Sequence, residues 1–569
     1  MSRTMLLMVA AGMLAAGAAV AGGGPANVLV LYNADDTDAA AVAEYYRDAR
    51  SIPDGQMCGI TGIDPSSRTI DFDDYHTLVH VPLDACLAGL PQPEEIDYIV
   101  IVRGLPYRVN IPSGFYTSLQ AMIQIHHAAS VGTGDELAGT PQYYDSYYQA
   151  SIINPHFQAG SIRSGDYTLS NPYMNWYNAA TRITRLEDQV ESFRRQSAGA
   201  YGGYDFAGNL FVVTRLDGFD HDDARDLVDR AVAADESFPA AEILCMEGSD
   251  SARAARDPEC EYVVRHLDMA GITATYLAPF DGSLAGHTVS AYWTGTASLR
   301  GAIAGQTYVP GAIACNLTST GAAPTNFFCS SDGTTCPASE SQTSIARFIR
   351  AGATGAHGAV AEPLNNTFPN AGTLLLYTFG YNLGESYFFN QRFLYWQNIL
   401  LGDPLTTPYA ERPVVTVVTD GTHPQDSPLV VEGAHPDGVA RVLLYIDEVL
   451  VAREDSDTLS HVVTDVDGSE LEILAVAIAQ NVGVTRTGWP NPDQNPQADV
   501  QGWTTTTVTV TAPVEPDEVE VADLPPDADD DVEEDALVDA DDDPAVDPGG
   551  EEPEDGGSET SGCGCVLVG

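Results

Sequence analysis

Tyr98-Ile99-Val100-Ile101-Val102 is the stretch on which the reading of the fold turns. It is an unbroken apolar run, rich in β-branched residues, too short for a helix and without polar alternation. Such a run reads as a strand covered on both faces. Upstream, Asn27-Val28-Leu29-Val30-Leu31 has the same character, and downstream so does 210–214. Helical spacing follows the outer two. Residues 39–50 carry apolar and charged positions at helical intervals. Residues 220–236 place Asp220 as a cap before a stripe of Ala224, Leu227, Val228, Ala231 and Val232. Further strands are expected at 272–276, 288–292, 311–315 and 353–360. Strands that alternate with helices predict an α/β fold, with a mainly parallel sheet and helices on both faces, over 22–410.

Two segments depart from that rhythm. Residues 115–203 are rich in Tyr, Ser, Asn and Gly, including Tyr143, Tyr144, Tyr147 and Tyr148, and read as an insertion over the sheet. A Tyr cluster can stack on sugars or peptides, or simply pack a loop. Residues 413–512 are all-β in pattern, with strand-like runs at 414–418, 442–446, 471–477 and 504–510. Their number and spacing predict an immunoglobulin-like β-sandwich. Asp465-Val466-Asp467-Gly468 is either a plain turn or part of a structural calcium loop, the one cofactor the sequence hints at.

The two ends point outside the cytoplasm. Arg3, the apolar run 5–20 and Ala19-Val20-Ala21 read as a signal peptide, 1–21, cleaved before Gly22. At the other end, 513–560 is a Pro- and Gly-containing acidic linker with no basic residue, expected to be disordered. The tail 561–569 holds Cys563 and Cys565. Its Gly-Cys motif after an acidic stretch resembles the start of the Cys-containing sorting tags of myxobacterial-type surface proteins, without their membrane helix and Arg cluster. That resemblance implies processing or envelope attachment through the tail; the alternative is a frayed end with two exposed thiols.

The formal charge is −56, and every basic residue is Arg. Such a chain repels nucleic acid and anionic lipid. Nine cysteines in an exported chain suggest disulfides. Cys58 with Cys86, Cys245 with Cys260, and Cys329 with Cys336 are close in sequence, which would leave Cys315 over. Other pairings remain open at this level.

Several strings resemble a family of exported bacterial proteins whose biochemical role is not established. They are Val30-Leu31-Tyr32-Asn33, Arg103-Gly104-Leu105-Pro106-Tyr107-Arg108, Val213-Thr214-Arg215-Leu216-Asp217-Gly218 and Leu401-Gly402-Asp403-Pro404-Leu405, in consistent order. More distantly, the pattern resembles gingipain-type cysteine peptidases. That resemblance implies a caspase-like α/β domain followed by an immunoglobulin-like one. It also implies a catalytic His after one late strand and a Cys at the end of the next. Here Gly295-Thr296-Ala297 stands where the His is expected, and Ile313-Ala314-Cys315 supplies the Cys.

A thiol nucleophile needs a base. His357 lies near the end of the next expected strand and could reach Cys315, with Glu362 orienting the imidazole. The alternative is that Cys315 is a small buried residue. Arg103 and Arg215 follow strands and could face a carboxylate-bearing ligand or form internal salt bridges. Gly402-Asp403-Pro404 is expected to end a helix. No metal site is expected. There is no His-Glu-x-x-His, and His126-His127, if helical, would diverge by about 100°. The sequence favours a secreted or cell-surface protein with a non-catalytic role, binding an unknown protein or glycan or building surface structure. A cysteine endopeptidase and a carbohydrate-binding protein are the alternatives.

Overall fold

The computed structural model describes residues 22–112, 115–127, 129–130, 154, 204–205, 210–391, 393–482 and 498–513. The segment read as a signal peptide, the Tyr cluster, nearly all of the acidic linker, and Cys563 and Cys565 lie outside the described residues.

The α/β region contains strands β1 (Val28–Asn33), β2 (Met57–Ile60), β3 (Thr69–Asp71), β4 (Tyr98–Val102), β5 (Arg108–Asn110), β6 (Tyr116–Ser118), β7 (Ala129–Ser130), β8 (Tyr204–Asp205), β9 (Val212–Leu216), β10 (Glu242–Met246), β11 (Ala274–Leu277), β12 (Thr288–Thr294), β13 (Thr307–Asn316), β14 (Gly355–Ala359) and β15 (Asn398–Gly402). Ten of them form one sheet in the order β11-β10-β12-β13-β14-β15-β9-β4-β1-β2. One block, β2-β1-β4-β9, is parallel throughout. The other, β11-β10-β12-β13-β14, is parallel too. Between them β15 runs antiparallel to β14 and meets β9 at Leu401 and Arg215. Strand β4, the run that opened the reading, is buried at every position.

The chain enters its helices where polar caps allow. The Asp36 side chain accepts from the amides of Asp38 and Ala39 and caps the helix Thr37–Arg50. Asp220 caps the helix His221–Ala234 in the same way. Its buried stripe contains Ala224, Leu227, Val228 and Ala231, but Val232 is exposed and Ala234 is buried instead. The loops leaving both blocks gather at one rim. Arg103, after β4, donates to Asp217, after β9, and to the carbonyl of Phe327, after β13. Arg108 reaches the carbonyl of Val360, after β14.

Two local expectations are corrected. Gly402-Asp403-Pro404 closes strand β15, not a helix. Asp403 is fully buried there and accepts from Tyr46 Oη at 2.7 Å and Arg50 Nε at 2.6 Å. It is thus an anchor that the short motif could not reveal. The first residues of the stretch read as an insertion are also part of the fold. Strand β6 pairs with β5, and the helix Leu119–Gln124 lies buried against β9 and β15. There Gln120 donates to the carbonyl of Val213 and accepts from the amide of Leu400.

After the α/β region comes an immunoglobulin-like sandwich of eight strands: β16 (Val414–Val418), β17 (Thr422–Pro424), β18 (Ser427–Ala434), β19 (Arg441–Ile446), β20 (Val449–Glu454), β21 (Thr458–Val463), β22 (Glu470–Val482) and β23 (Ala498–Thr511). A β16-β18-β21 sheet packs on a β17-β23-β22-β19-β20 sheet. Leu429, Val431, Val442, Leu444, Leu459, Ile473 and Val508 fill the space between them. The larger sheet also buries its outer face. Leu443, Tyr445, Leu474, Val476 and Ile478 cluster with Ala26, while Val500 joins the core of the α/β region. Polar links complete the seam: Arg412 Nη1 to the carbonyl of Gln501 at 2.7 Å, and Arg453 to Glu95 at 3.1 Å. The two regions form one compact unit.

Candidate functional site

Strand register lines up four side chains across the second block. Cys245 lies opposite Trp293, Trp293 opposite Cys315, and Cys315 opposite His357. Paired residues on adjacent strands project from the same face, so the thiol and the imidazole meet there. Cys315 Sγ is 3.8 Å from His357 Nδ1. The other ring nitrogen, Nε2, is 3.2 Å from Asn398 Oδ1 at the head of β15. Asn398 Nδ2 donates to the carbonyl of Thr367, which turns Oδ1 toward the ring. The proton therefore sits on His357 Nε2, and bare Nδ1 faces the thiol.

Arg256, just before the helix Asp257–Met269, donates to Cys315 Sγ from Nη1 at 3.3 Å. Its guanidinium lies 5.1 Å from the Trp293 ring and 5.8 Å from that of Phe368. Tyr387 stacks on His357 with centroids 6.0 Å apart. Cys315 is 0% exposed, and His357 and Asn398 are 2% exposed. Burial, with Arg256 adding to it, holds His357 down to about 3. Burial also pushes the Cys315 thiol up, with Arg256 opposing. Thiol and imidazole are thus both neutral. The order of groups is that of a nucleophile, a base and an orienting amide, but no substrate carbonyl reaches a sulfur with this exposure.

Glu362 does not belong to this set. It is exposed and accepts from Ser319 Oγ at 2.7 Å. Asn398 takes the place expected of it. Only its position as a polar residue at the head of an apolar strand could have pointed there. At the position where the resemblance places a catalytic His, the backbone is stapled instead. Asn316 Oδ1 accepts from the amide of Thr296, and Asn316 Nδ2 donates to the Thr296 carbonyl.

Arg103 and Arg215 meet on a single carboxylate, that of Asp217. Arg103 Nη1 lies 2.7 Å from Oδ1 and Arg215 Nη2 lies 3.0 Å from Oδ2. Arg215 Nη1 and Nη2 also donate to the carbonyls of Pro106 and Leu105. Arg215 and Asp217 are fully buried. Burial alone would raise the Asp217 carboxyl, but the two guanidiniums outweigh it and hold it below the usual carboxylate range. Both arginines are internal and bond to this carboxylate and to backbone carbonyls.

Among the described residues two disulfides are present, Cys58–Cys86 and Cys329–Cys336. They suit an extracytoplasmic protein. Cys245 and Cys260 are not bridged. They are free, buried thiols that hydrogen-bond to each other between β10 and the helix above it. Among the described residues no third His, Cys, Asp or Glu gathers with Asp465 and Asp467 in the turn 465–468, where Val466 is 68% exposed.

A group with metal-type ligands does form elsewhere. His80 Nε2, His126 Nε2 and an Asp84 carboxylate oxygen lie within 4.8 Å of one another. His126 and His127 are in a turn after the helix Leu119–Gln124, not on it, so both rings can face Asp84. Burial pushes His126 down to about 4, with Asp84 opposing, which leaves a neutral imidazole.

No family model matches the chain, and no curated protein is similar to it. Among solved structures, one described as a protease is 11% identical, with 85% of this chain and 98% of that one covered, at a TM-score of 0.40. The fibronectin(III)-like modules of Clostridium thermocellum CbhA are 12% identical over 20% of this chain and 52% of theirs, at 0.13. A lytic polysaccharide monooxygenase of Jonesia denitrificans is 18% identical over 16% and 56%, at 0.10. None of them assigns a reaction to this chain.

Proposed function

We propose that this is an exported, cell-surface protein with a non-catalytic binding or surface-structure role, carried on a peptidase-like α/β scaffold. The observation that supports this reading is the sealing of Cys315, His357 and Asn398 beneath Arg256, Phe368 and Tyr387. A cysteine peptidase needs a thiolate beside an imidazolium and room for a tetrahedral adduct. Here both groups are held neutral. The strong negative charge makes nucleic acid an unsuitable partner and leaves protein or glycan as the ligand class. Envelope attachment through the Cys563 and Cys565 tail belongs to the same proposal.

The second reading is a cysteine endopeptidase. It is favoured by Nδ1 of His357 facing the thiol while Asn398 holds Nε2, and by Arg256 as a cation able to stabilise a thiolate. It requires the cover to open. Hydrolysis of a fluorogenic peptide library, with Cys315→Ala and His357→Ala beside the native protein, separates the two. The expected outcome is no hydrolysis by any of them, with Cys315 unreactive to iodoacetamide until the protein is unfolded. Turnover by the native protein that disappears in both variants would overturn the non-catalytic reading.

A further inference from the structure

Gly22, Gly23 and Gly24 thread between the α/β region and the sandwich, and all three are buried. None has room for a side chain. A Cβ on Gly22 would lie 2.1 Å from the Asp499 carbonyl oxygen, one on Gly23 2.6 Å from the Tyr98 ring, and one on Gly24 2.3 Å from Gln501 Oε1. The Gly22 nitrogen donates to Glu385 Oε1 at 3.0 Å. The same oxygen accepts from Tyr98 Oη at 2.8 Å, and Asn382 Nδ2 donates to that hydroxyl at 2.9 Å. Glu385 is 1% exposed, and among the described residues no Arg pairs with it. A carboxylate taken out of water and given only neutral partners is costly. The signal-peptide pattern Ala19-Val20-Ala21 ends at the bond that precedes this nitrogen.

We infer that Glu385 is the buried receptor for the α-ammonium of Gly22, which is created when the signal peptide is removed. Signal peptidase adds water across the Ala21–Gly22 amide. Ala21 leaves as a carboxylate, and the Gly22 nitrogen takes up protons. An α-amine with an ordinary pKa of about 7.7–8.0 is then largely cationic at neutral pH. Processing converts a neutral amide donor into the missing positive partner of Glu385. The mature terminus thereby locks a seam between β4, the helix Leu383–Phe388 and β23 that the precursor holds less firmly.

The chain has no Lys, so the mature α-amine is its one primary amine. Amine-reactive esters therefore report on this group alone. N-terminal sequencing of the exported protein should begin at Gly22, and its amine should label at least ~10-fold more slowly folded than unfolded. A chain that retains Val20-Ala21 should label freely and melt ~2 °C lower or more, and Glu385→Gln should remove that difference. A different mature start, free labelling of the folded Gly22 amine, or equal melting of the two chains with Glu385 intact would overturn the inference. If Glu385→Gln does not fold, the sequencing and labelling still decide.

A separate cluster carries a second proposal: His80, His126 and Asp84 form a zinc-type metal site with three protein ligands and a fourth position open to water. His80 ends the π-helical segment His76–His80, and Asp84 lies one turn on. From the Asp84 oxygens, His126 Nε2 is 2.7 Å, His80 Nε2 3.6 Å and His127 Nε2 3.6 Å away. Tetrahedral zinc with ligand bonds of about 2.1 Å spaces its ligands by about 3.4 Å. Two imidazoles and one carboxylate select zinc over calcium. The Asp84 and His127 side chains are 44% and 35% exposed, so an ion can enter. Chelator-stripped protein re-equilibrated with zinc should retain one ion per chain in excess calcium, and cobalt should give the absorption of a four-coordinate site. His126→Asn and Asp84→Asn should each weaken zinc binding at least ~10-fold. Equal zinc binding by the native protein and the His80→Asn, His126→Asn double variant would overturn the proposal.

Discussion

At the residue scale the fold turns on buried charges that find partners. Asp217 lies between Arg103 and Arg215, and Arg215 stacks 4.5 Å from the Tyr107 ring. Removing the negative member leaves two guanidiniums with too little countercharge. Asp217→Asn should cost about 3–5 kcal/mol in denaturant unfolding. The pH dependence follows from the depressed carboxyl. Its contribution is fully present above the unfolded value of about 3.9 and is lost as pH falls through the lower folded value. Native protein should therefore lose stability below about pH 4 more steeply than the variant does. Sequence singled out both arginines because cations are scarce in this chain. It could not find Asp217, one acidic residue among 81, before β4 and β9 were placed side by side.

At the element scale, periodicity and capping were enough for the helices Thr37–Arg50 and His221–Ala234 and for β1, β4 and β9. Each element carries its own signal: a cap, a stripe or an apolar run. The misread elements carry shorter or conflicting signals: Ser118 caps the helix Leu119–Gln124, but that helix is only six residues long. Gly-Asp-Pro ends a strand as readily as a helix when its Asp is needed as a buried anchor. The residues of β6 and the helix Leu119–Gln124 look polar and loop-like, with Gln120 and Gln124 on a helix that is buried throughout. Those amides are tolerated inside because they bond to β9, β15 and Gln391. Polarity misleads where a buried polar side chain has partners from distant elements.

At the scale of the whole molecule, charge is the unusual feature. A formal −56 means that folding gathers carboxylates faster than it pairs them. Salt screens such repulsion over a Debye length of about 10 Å at 0.1 M. The melting temperature should rise by several degrees between low salt and about 0.5 M sodium chloride, measured calorimetrically at constant pH. A fall over that range would mean that the internal ion pairs, and not surface repulsion, dominate the salt response.

The α/β class, the sandwich that follows it and the chain's acidity were all legible from order and composition alone, because each is written in contiguous residues. The meeting of Cys315 with His357 was within reach because both sit near the ends of consecutive parallel strands. Folding alone decided that Asn398 and not Glu362 takes the imidazole, that the trio is sealed, and that Cys245 and Cys260 remain thiols. It also decided that Gly22 meets Glu385 across 363 positions and that His80 meets His126. Those outcomes depend on which distant side chains share one desolvated space, and burial is a property of the packed chain that no local stretch encodes.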